Sequence, residues 1–404
     1  MSLEDYEKIK TFLALHKYKV VPQNFATLYD LIKVQLNITD PSFVFNCLNY
    51  IMYKKTPHIQ VEELKIPTKY QRIDNQFKFL SSIPEIAQKS AEWYEKRHNL
   101  ITASSCAEAL NENSYTTRDK FLVQKCLPNP PFEQSVQTHH GVKYEDIATM
   151  IYEELFDVGV KPFGLIGHPN ISFLGASPDG ICDKWCKKNN KKFSTKYGTM
   201  LEIKCPFRRV IKKEGKIDGD ICPHYYWVQV QVQLECCDLD TCDFWQCTIR
   251  EYNTREEWFL DVRSPLEVKK DLVIKNINTL KGAIIQLLPK NDIASGKISV
   301  FNAKYIYPHS LDMNVIEYEN WILSQIYSLQ TVNSELARDY VFDRVIYWKL
   351  DDCHVQEICR DKEWFSNTYP RLKTFWDEVL YYRQNPEKFR ELQLKMSSFS
   401  YAGN

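Results

Sequence analysis

The stretch Leu201-Glu202-Ile203-Lys204-Cys205-Pro206 constrains this chain more than any other. As a strand it puts Glu202 and Lys204 on one face and turns Ile203 into the core on the other, because alternate side chains point to opposite sides of a sheet. Its neighbours read the same way. Short apolar runs bounded by turn residues at 171–175, 180–183, 199–203 and 244–249 predict strands, and Ser177-Pro178-Asp179-Gly180 is a turn between the first two. A helix is predicted over about 143–156, where Ile147, Met150, Ile151 and Leu155 recur at helical spacing. Strands interleaved with helices predict an α/β fold, a central mixed sheet flanked by helices.

The flanks are organised differently. Up to about residue 60 the chain reads as helices, with Ile9, Phe12 and Leu13 on one face and Val44, Cys47, Leu48 and Ile51 on another. Asp40-Pro41 is a helix start, an N-cap followed by proline at the first helical position. Residues 55–85, with Pro57, Pro67 and Pro84, read as a connecting segment. Periodicity weakens over 255–340, then Val345-Ile346-Tyr347-Trp348 predicts a strand and Leu372, Phe375, Trp376 and Val379 share a helix face. The division expected is a helical N-terminal extension (1–85), a core (86–254), an insertion or subdomain (255–340), the closing strand and helix of the core (341–393), and a flexible polar tail (394–404). No internal repeat is present.

Composition narrows the class. With 404 residues, 44% hydrophobic and only 12 glycines, the chain is neither disordered nor collagen-like. The first residues, Met-Ser-Leu-Glu-Asp-Tyr-Glu, carry acids where a secretory leader carries its basic segment, and no window approaches the roughly 18 apolar residues of a spanning helix. No membrane role is expected. Thirteen scattered cysteines fit reduced thiols in a cytosolic or nuclear protein. Cys182, Cys186, Cys222, His224, Cys236, Cys237 and Cys242 lie near one another, but none makes the paired C-x2-C spacing of a structural zinc site.

Asp179 in its tight turn, Glu202 and Lys204 on their strand, and Glu145 near the start of the predicted helix form one chemical set. An E-x-K on a strand is commonly a solvated face, and a Pro-Asp-Gly turn is common too. Their order and spacing together point further. Hard cations such as Mg2+ or Mn2+ take oxygen ligands and keep waters, so one or two carboxylates plus a substrate phosphate suffice. Asp179 and Glu202, with the main-chain carbonyl of Ile203, are the expected ligands of one ion. Glu145 would reach the same ion or a second. Lys204 would orient or help deprotonate an attacking water and offset charge on the reacting phosphate.

These residues resemble the PD-(D/E)xK nuclease signature and, more narrowly, the lambda-exonuclease and YqaJ-type viral recombinase family. Trp93-x3-Arg97-x3-Ile101-Thr102-Ala103-Ser104 is similar to that family's first motif, and Gly141-Val142-Lys143-Tyr144-Glu145 to its second. Ser177-Pro178-Asp179-Gly180, Glu202-Ile203-Lys204-Cys205-Pro206-Phe207 and Tyr226-x2-Gln229-Val230-Gln231 follow in the family's order. Arg360-Asp361-x2-Trp364-Phe365 and the helix of Trp376 look like its closing element. The resemblance implies a restriction-endonuclease-like core in which Asp179, Glu202, Lys204, Glu145 and Gln229 serve catalysis. It implies that Arg97, Ser104 and Ser177 hold a 5′-terminal phosphate, consistent with a guanidinium fork and a helix start near Ser104. Three departures stand out. Asn99 replaces a glycine usual in the family, the segments 1–85 and 255–340 have no counterpart in the compact phage enzyme, and Val228–Leu234 alternates like a strand where the family has a helix. The helix is expected here.

Formal charge sums to zero, 52 Lys+Arg against 52 Asp+Glu, but residues 184–216 hold twelve cations and two acids, a net +10. Lys187, Lys188, Lys191, Lys192, Arg208, Arg209, Lys212 and Lys213 are the expected groove for a phosphate backbone. The function expected is metal-dependent DNA exonuclease, 5′ to 3′ on duplex ends, releasing 5′-mononucleotides and leaving 3′ single-stranded tails. Added segments and a high Cys and Tyr content resemble an alkaline exonuclease of a large DNA virus, baculovirus-like, acting with a single-strand-binding or annealing protein in the host nucleus. Alternatives are an endonuclease on the same core and a non-catalytic DNA-binding scaffold.

Overall fold

Apolar periodicity fixes the first elements. Helices α1 (Leu3–Leu15), α2 (Phe25–Leu36) and α3 (Pro41–Lys54) bury Ile9, Leu13, Leu28, Ile32, Val44, Cys47, Leu48 and Ile51 in a core of their own. Asp40 Oδ1 accepts the Phe43 N–H at 3.2 Å, capping α3 where Asp40-Pro41 predicts its start. In this computed structural model, residues 3–21, 24–54, 66–84, 86, 90–128, 135–189, 192–261, 280–331 and 335–401 are described. They divide into two compact units, Met1–Lys65 and Ile66–Asn404.

The second unit begins with α4 (Gln71–Ser82), α5 (Ala91–His98), β1 (Ile101–Thr102), α6 (Cys106–Ala109), α7 (Arg118–Cys126) and α8 (Val136–Phe156). Five short strands follow: β2 (Val160–Lys161), β3 (Ile166–Gly167), β4 (Leu174–Ala176), β5 (Gly180–Cys182) and β6 (Met200–Lys204). Then come α9 (His224–Cys237), β7 (Thr241–Glu251), α10 (Arg255–Leu260), β8 (Lys281–Pro289), α11 (Lys290–Ser295), β9 (Lys304–Ile306), α12 (Val315–Thr331), α13 (Glu335–Asp339), β10 (Tyr340–Cys359), α14 (Lys362–Gln384) and α15 (Pro386–Tyr401). Seven strands form the main sheet in the order β2-β5-β6-β7-β10-β8-β9, and β1-β4-β3 form a small second sheet. Within the main sheet β6 and β7 are parallel and the other pairs antiparallel. This is the expected mixed α/β architecture.

Parallel neighbours need a crossover, and α9 supplies it between β6 and β7. Alternation along Val228–Leu234 suits this helix because it is covered on two sides. Val228, Val232 and Cys236 pack with α6, α7 and α14, while Val230, Leu234 and Cys237 pack with Met200, Cys242 and Phe244 of the sheet. A helix apolar all round is a buried helix.

Three boundaries differ from the sequence expectation. The connecting segment 55–85 contains α4, whose Phe77 and Leu80 pack on the sheet side of α9 and whose Gln76 Nε2 donates to Cys237 O at 2.6 Å. The segment 255–340 supplies β8 and β9, which extend the main sheet beyond β10, with Trp258, Tyr318 and Trp321 covering them. Its residues 262–279 lie outside the described set. The polar tail is helical to Tyr401, because α15 lays Leu392 against the α7 and α14 core.

Candidate active site

The β5–β6 hairpin brings the two strand carboxylates together. Gly180 pairs with Leu201 and Ile181 with Met200, so Asp179 arrives beside Glu202 and Ile203, and its Oδ2 accepts the Ile203 N–H at 2.6 Å. On the other edge of β5, Gly180 lets β2 lie close: a Cβ there would run into Val160 Cγ1 and lie 3.2 Å from Lys161 O.

Along β6, Leu201, Ile203 and Cys205 enter the core under α8, while Met200 faces α9. Glu202 and Lys204 therefore also turn to the α9 side. Glu202 is 1% exposed. Its Oε1 accepts from the Lys204 ammonium and from Gln229 Nε2 at 2.7 Å, and its Oε2 from Gln233 Nε2 at 2.7 Å. Gln229 and Gln233 are one helical turn apart, so both reach β6 from the same face of α9. Gln233 also donates to Ser177 O at 3.2 Å. Sequence reasoning missed Gln233, although the i, i+4 spacing from Gln229 was legible. Lys204 lies 4.5 Å from the Tyr226 ring centre. Burial disfavours its ammonium, but Glu202 and Asp179 outweigh burial and raise its pKa.

Asp179 is pushed well above the usual carboxylate range, first by burial, then by Glu202 and Glu145, against the opposing pull of Lys204 and the Ile203 N–H. Glu145 thus belongs to this cluster electrostatically, from an exposed position on α8. α8 is fixed by Tyr144 O–H to Glu251 at 2.8 Å, Trp245 Nε1–H to Ala148 O at 2.9 Å, and Tyr152 O–H to Asp243 at 2.6 Å. Among the described residues no three His, Cys, Asp or Glu side chains converge at metal-ligand spacing, neither here nor among the clustered cysteines. Two adjoining carboxylates still fit a hard cation, which needs only one or two of them when waters and phosphate complete its shell.

The second cluster sits at the same end of the strands. β1 pairs in parallel with β4, Thr102 opposite Gly175, so Ser104 follows β1 where Ser177 and Asp179 follow β4. Thr102 Oγ1 is the hub: Arg97 Nη2 donates to it at 3.4 Å, and the Ser104 and Ser105 hydroxyls lie at 3.3 and 3.4 Å. Arg97 lies over Trp93 at 4.6 Å, and among the described residues no carboxylate pairs with it. The Ser177 hydroxyl is buried without a hydrogen-bond partner. Lys125 Nζ donates to Arg97 O at 2.8 Å and Leu100 O at 2.6 Å, and Arg383 Nη2 donates to His98 O at 2.8 Å, so α7 and α14 pin the turn that presents Arg97. Burial, with Arg97 and Arg383 nearby, lowers the Lys125 pKa to about 7.

The expected groove does not form one surface. Arg208, Arg209, Lys212 and Lys213 leave β6 at the Lys204 end, with Arg209 Nη2 donating to Gln246 Oε1 at 2.8 Å. Lys187, Lys188 and Lys192 occupy the β5–β6 loop, at the opposite end of the hairpin; Lys191 lies outside the described residues. Lys187 pairs with Glu153 at 2.6 Å and Lys188 with Glu154, about 12 Å along α8 from Glu145. Those lysines are removed from the carboxylate pair because a hairpin loop lies at the far end of its strands.

Residues 92–240 match the model of the YqaJ-like viral recombinase domain. The uncharacterized protein R354 of Acanthamoeba polyphaga mimivirus is 40% identical over 337 residues, 83% of this chain and 60% of that protein, so the chain spans about three fifths of that relative's length. Among solved structures, the alkaline exonuclease LHK-Exo of Laribacter hongkongensis, alone and in complex with dAMP, aligns over 77% of this chain and 100% of its own at 15% identity and a TM-score of 0.37. Asp179, Glu202, Arg97 and both glutamines fall inside the span, residues 92–240, over which this chain is similar to the YqaJ-like viral recombinase domain.

Proposed function

We propose that this protein is a divalent-metal-dependent DNA exonuclease that enters duplex DNA at a 5′-phosphorylated end and leaves a 3′ single-stranded tail for recombination. The observation carrying this reading is the apposition of Asp179, in the turn before β5, with Glu202 on the paired strand β6, with Lys204 and two glutamines bound to Glu202. Asp179, Glu202 and the Ile203 carbonyl would hold Mg2+ or Mn2+, with Glu145 at the same ion or a second. When bound, the ion would act as a Lewis acid on the phosphate and activate water.

The protein's own groups do the rest. Lys204 stays protonated, because Glu202 and Asp179 raise its pKa, so it serves as a hydrogen-bond donor that steadies a water or phosphate oxygen rather than as a base. Gln229 and Gln233 fix the Glu202 carboxylate. Arg97, Ser104 and the unpartnered Ser177 hydroxyl suit a terminal phosphate, and Arg208, Arg209, Lys212 and Lys213 suit the backbone approaching the Lys204 end. The expected partner is an annealing or single-strand-binding protein, working in the host nucleus.

The test is cleavage of linear 5′-phosphorylated, linear 5′-hydroxyl and covalently closed DNA, with Mg2+ or EDTA, by wild type and Glu202→Ala. Metal-dependent loss of the phosphorylated duplex, slower loss of the hydroxyl end, an intact circle and an inactive variant are expected. Equal residual activity in wild type and variant would sink the assignment. A circle cut as fast as the linear duplex would favour an endonuclease.

A further inference from the structure

The β5–β6 loop is not an isolated lysine run. It folds against α4 and builds an aromatic and basic surface at the end of the hairpin away from Asp179. Phe193 stacks on Tyr70 with ring centres 4.7 Å apart, and Trp185 meets Phe193 edge-on at 5.7 Å. Two of these rings carry a cation, Lys69 at 4.6 Å from the Tyr70 ring centre and Lys184 at 5.6 Å from Trp185, and Lys161 lies 5.9 Å from the neighbouring Phe77 ring. Among the described residues none of these three lysines forms a close ion pair with a carboxylate, although Lys184 lies in the field of Asp74.

A cleft of about 290 Å³ opens beside these rings, lined by Asp74, Phe77, Lys78, Ser81, Lys184 and Tyr197 among others. The Asp74 carboxylate is fully buried, and its charge is offset by Lys78 at 2.6 Å, the Tyr197 hydroxyl at 2.8 Å and the nearby Lys184. Asp183 is turned to its own chain, accepting the Lys184 N–H at 2.6 Å. The Ser81 hydroxyl, shielded from solvent, has no hydrogen-bond partner in the protein. Half-buried rings, cations beside them that form no close ion pair, and an adjoining cleft together match a flexible polyanion that carries flat bases.

We propose that this surface is a second nucleic-acid site that binds single-stranded DNA, the strand left unpaired by digestion, with bases against the Tyr70, Phe193 and Trp185 rings and phosphates on Lys69, Lys161 and Lys184. The source of that strand rests on the proposed nuclease reading; the binding itself does not.

The test is fluorescence anisotropy of labelled dT12 with the full chain in EDTA at two salt concentrations, for wild type, Lys69→Glu/Lys184→Glu and Trp185→Leu. The charge reversal should weaken binding more than tenfold and flatten the salt dependence, and the Trp185 variant should weaken it about tenfold. Both should cut a short 5′-phosphorylated duplex at the wild-type initial rate and melt normally. If a variant fails to fold, Lys69→Glu alone, at an exposed residue, carries the same expectation at smaller size. Binding of dT12 within twofold of wild type in both variants overturns the site, as does equal displacement by polyglutamate of matched charge. A protein that binds dT12 through these residues yet cuts no DNA overturns the nuclease reading and leaves this site standing.

Discussion

Glu202 can sit at 1% exposure because three donors meet its two oxygens, and two separate constraints supply them. Lys204 is supplied by strand alternation, Gln229 and Gln233 by one turn of α9. A hydrogen bond to a charged group contributes about 1.5–3 kcal/mol, and losing one leaves part of that charge unmet. Gln233→Leu should therefore reduce the cleavage rate at saturating DNA by ~10–100-fold, measured in single turnover, with DNA affinity retained. Asp179 gives a pH signature. Its folded pKa is raised by burial, Glu202 and Glu145, so its contribution to stability is present below the ordinary carboxylate range and is lost as pH rises through the raised value. Without metal the melting temperature should fall as pH climbs through that window. Asp179→Asn should abolish the fall and melt higher at neutral pH, while losing cleavage. Asp179, Glu202 and Lys204 were legible as residues because spacing alone marks them. Thr102 was not, because its contacts with Arg97, Ser104 and Ser105 exist only once β1 turns into the segment after it.

Elements set the distances that residues cannot. On the edge of β5 away from β6, β2 can lie close beside position 180 because that residue lacks a Cβ. Gly180→Val would force Val160 or Lys161 aside and should cost about 1–3 kcal/mol in stability as overpacking. Because the shift falls next to Asp179, cleavage should drop further than the melting temperature predicts. Helix α14 acts at longer range: Phe375 stacks on Phe121 of α7 with ring centres 5.3 Å apart, holding the helices that pin the Arg97 turn. Phe375→Ala should destabilise by about 3–5 kcal/mol in denaturant titration. It should also blunt the preference for 5′-phosphorylated ends if that turn shapes the pocket. The α9 segment shows where periodicity is ambiguous. Alternating apolar residues and glutamines resemble a strand, but coverage on both flanks makes every face of a helix useful, and the glutamines between are spent on Glu202, Cys359 and Ser177.

At the scale of the molecule, the Ile66–Asn404 unit holds the whole candidate site, and the first three helices close a core of their own. A 66–404 fragment should melt cooperatively and cut a 5′-phosphorylated duplex at the full-length rate; a large loss of rate would assign the first unit a role in cleavage. No helix among the described residues is long and apolar enough to cross a membrane. The sequence by itself determined the ordered set Asp179, Glu202 and Lys204, the α/β class and the faces of its amphipathic helices, because these follow from local spacing, turn chemistry and periods of 2 and 3.6. It also determined that a neutral chain concentrates ten net positive charges in one window. Tertiary structure decided how that window is divided. One half leaves β6 beside Lys204, and the other is carried by a hairpin loop to the far end and docked on α4 and α8. It also decided that 255–340 extends the sheet and that α4 joins the second unit. These outcomes depend on which surfaces meet across long sequence separations, and no local pattern encodes that.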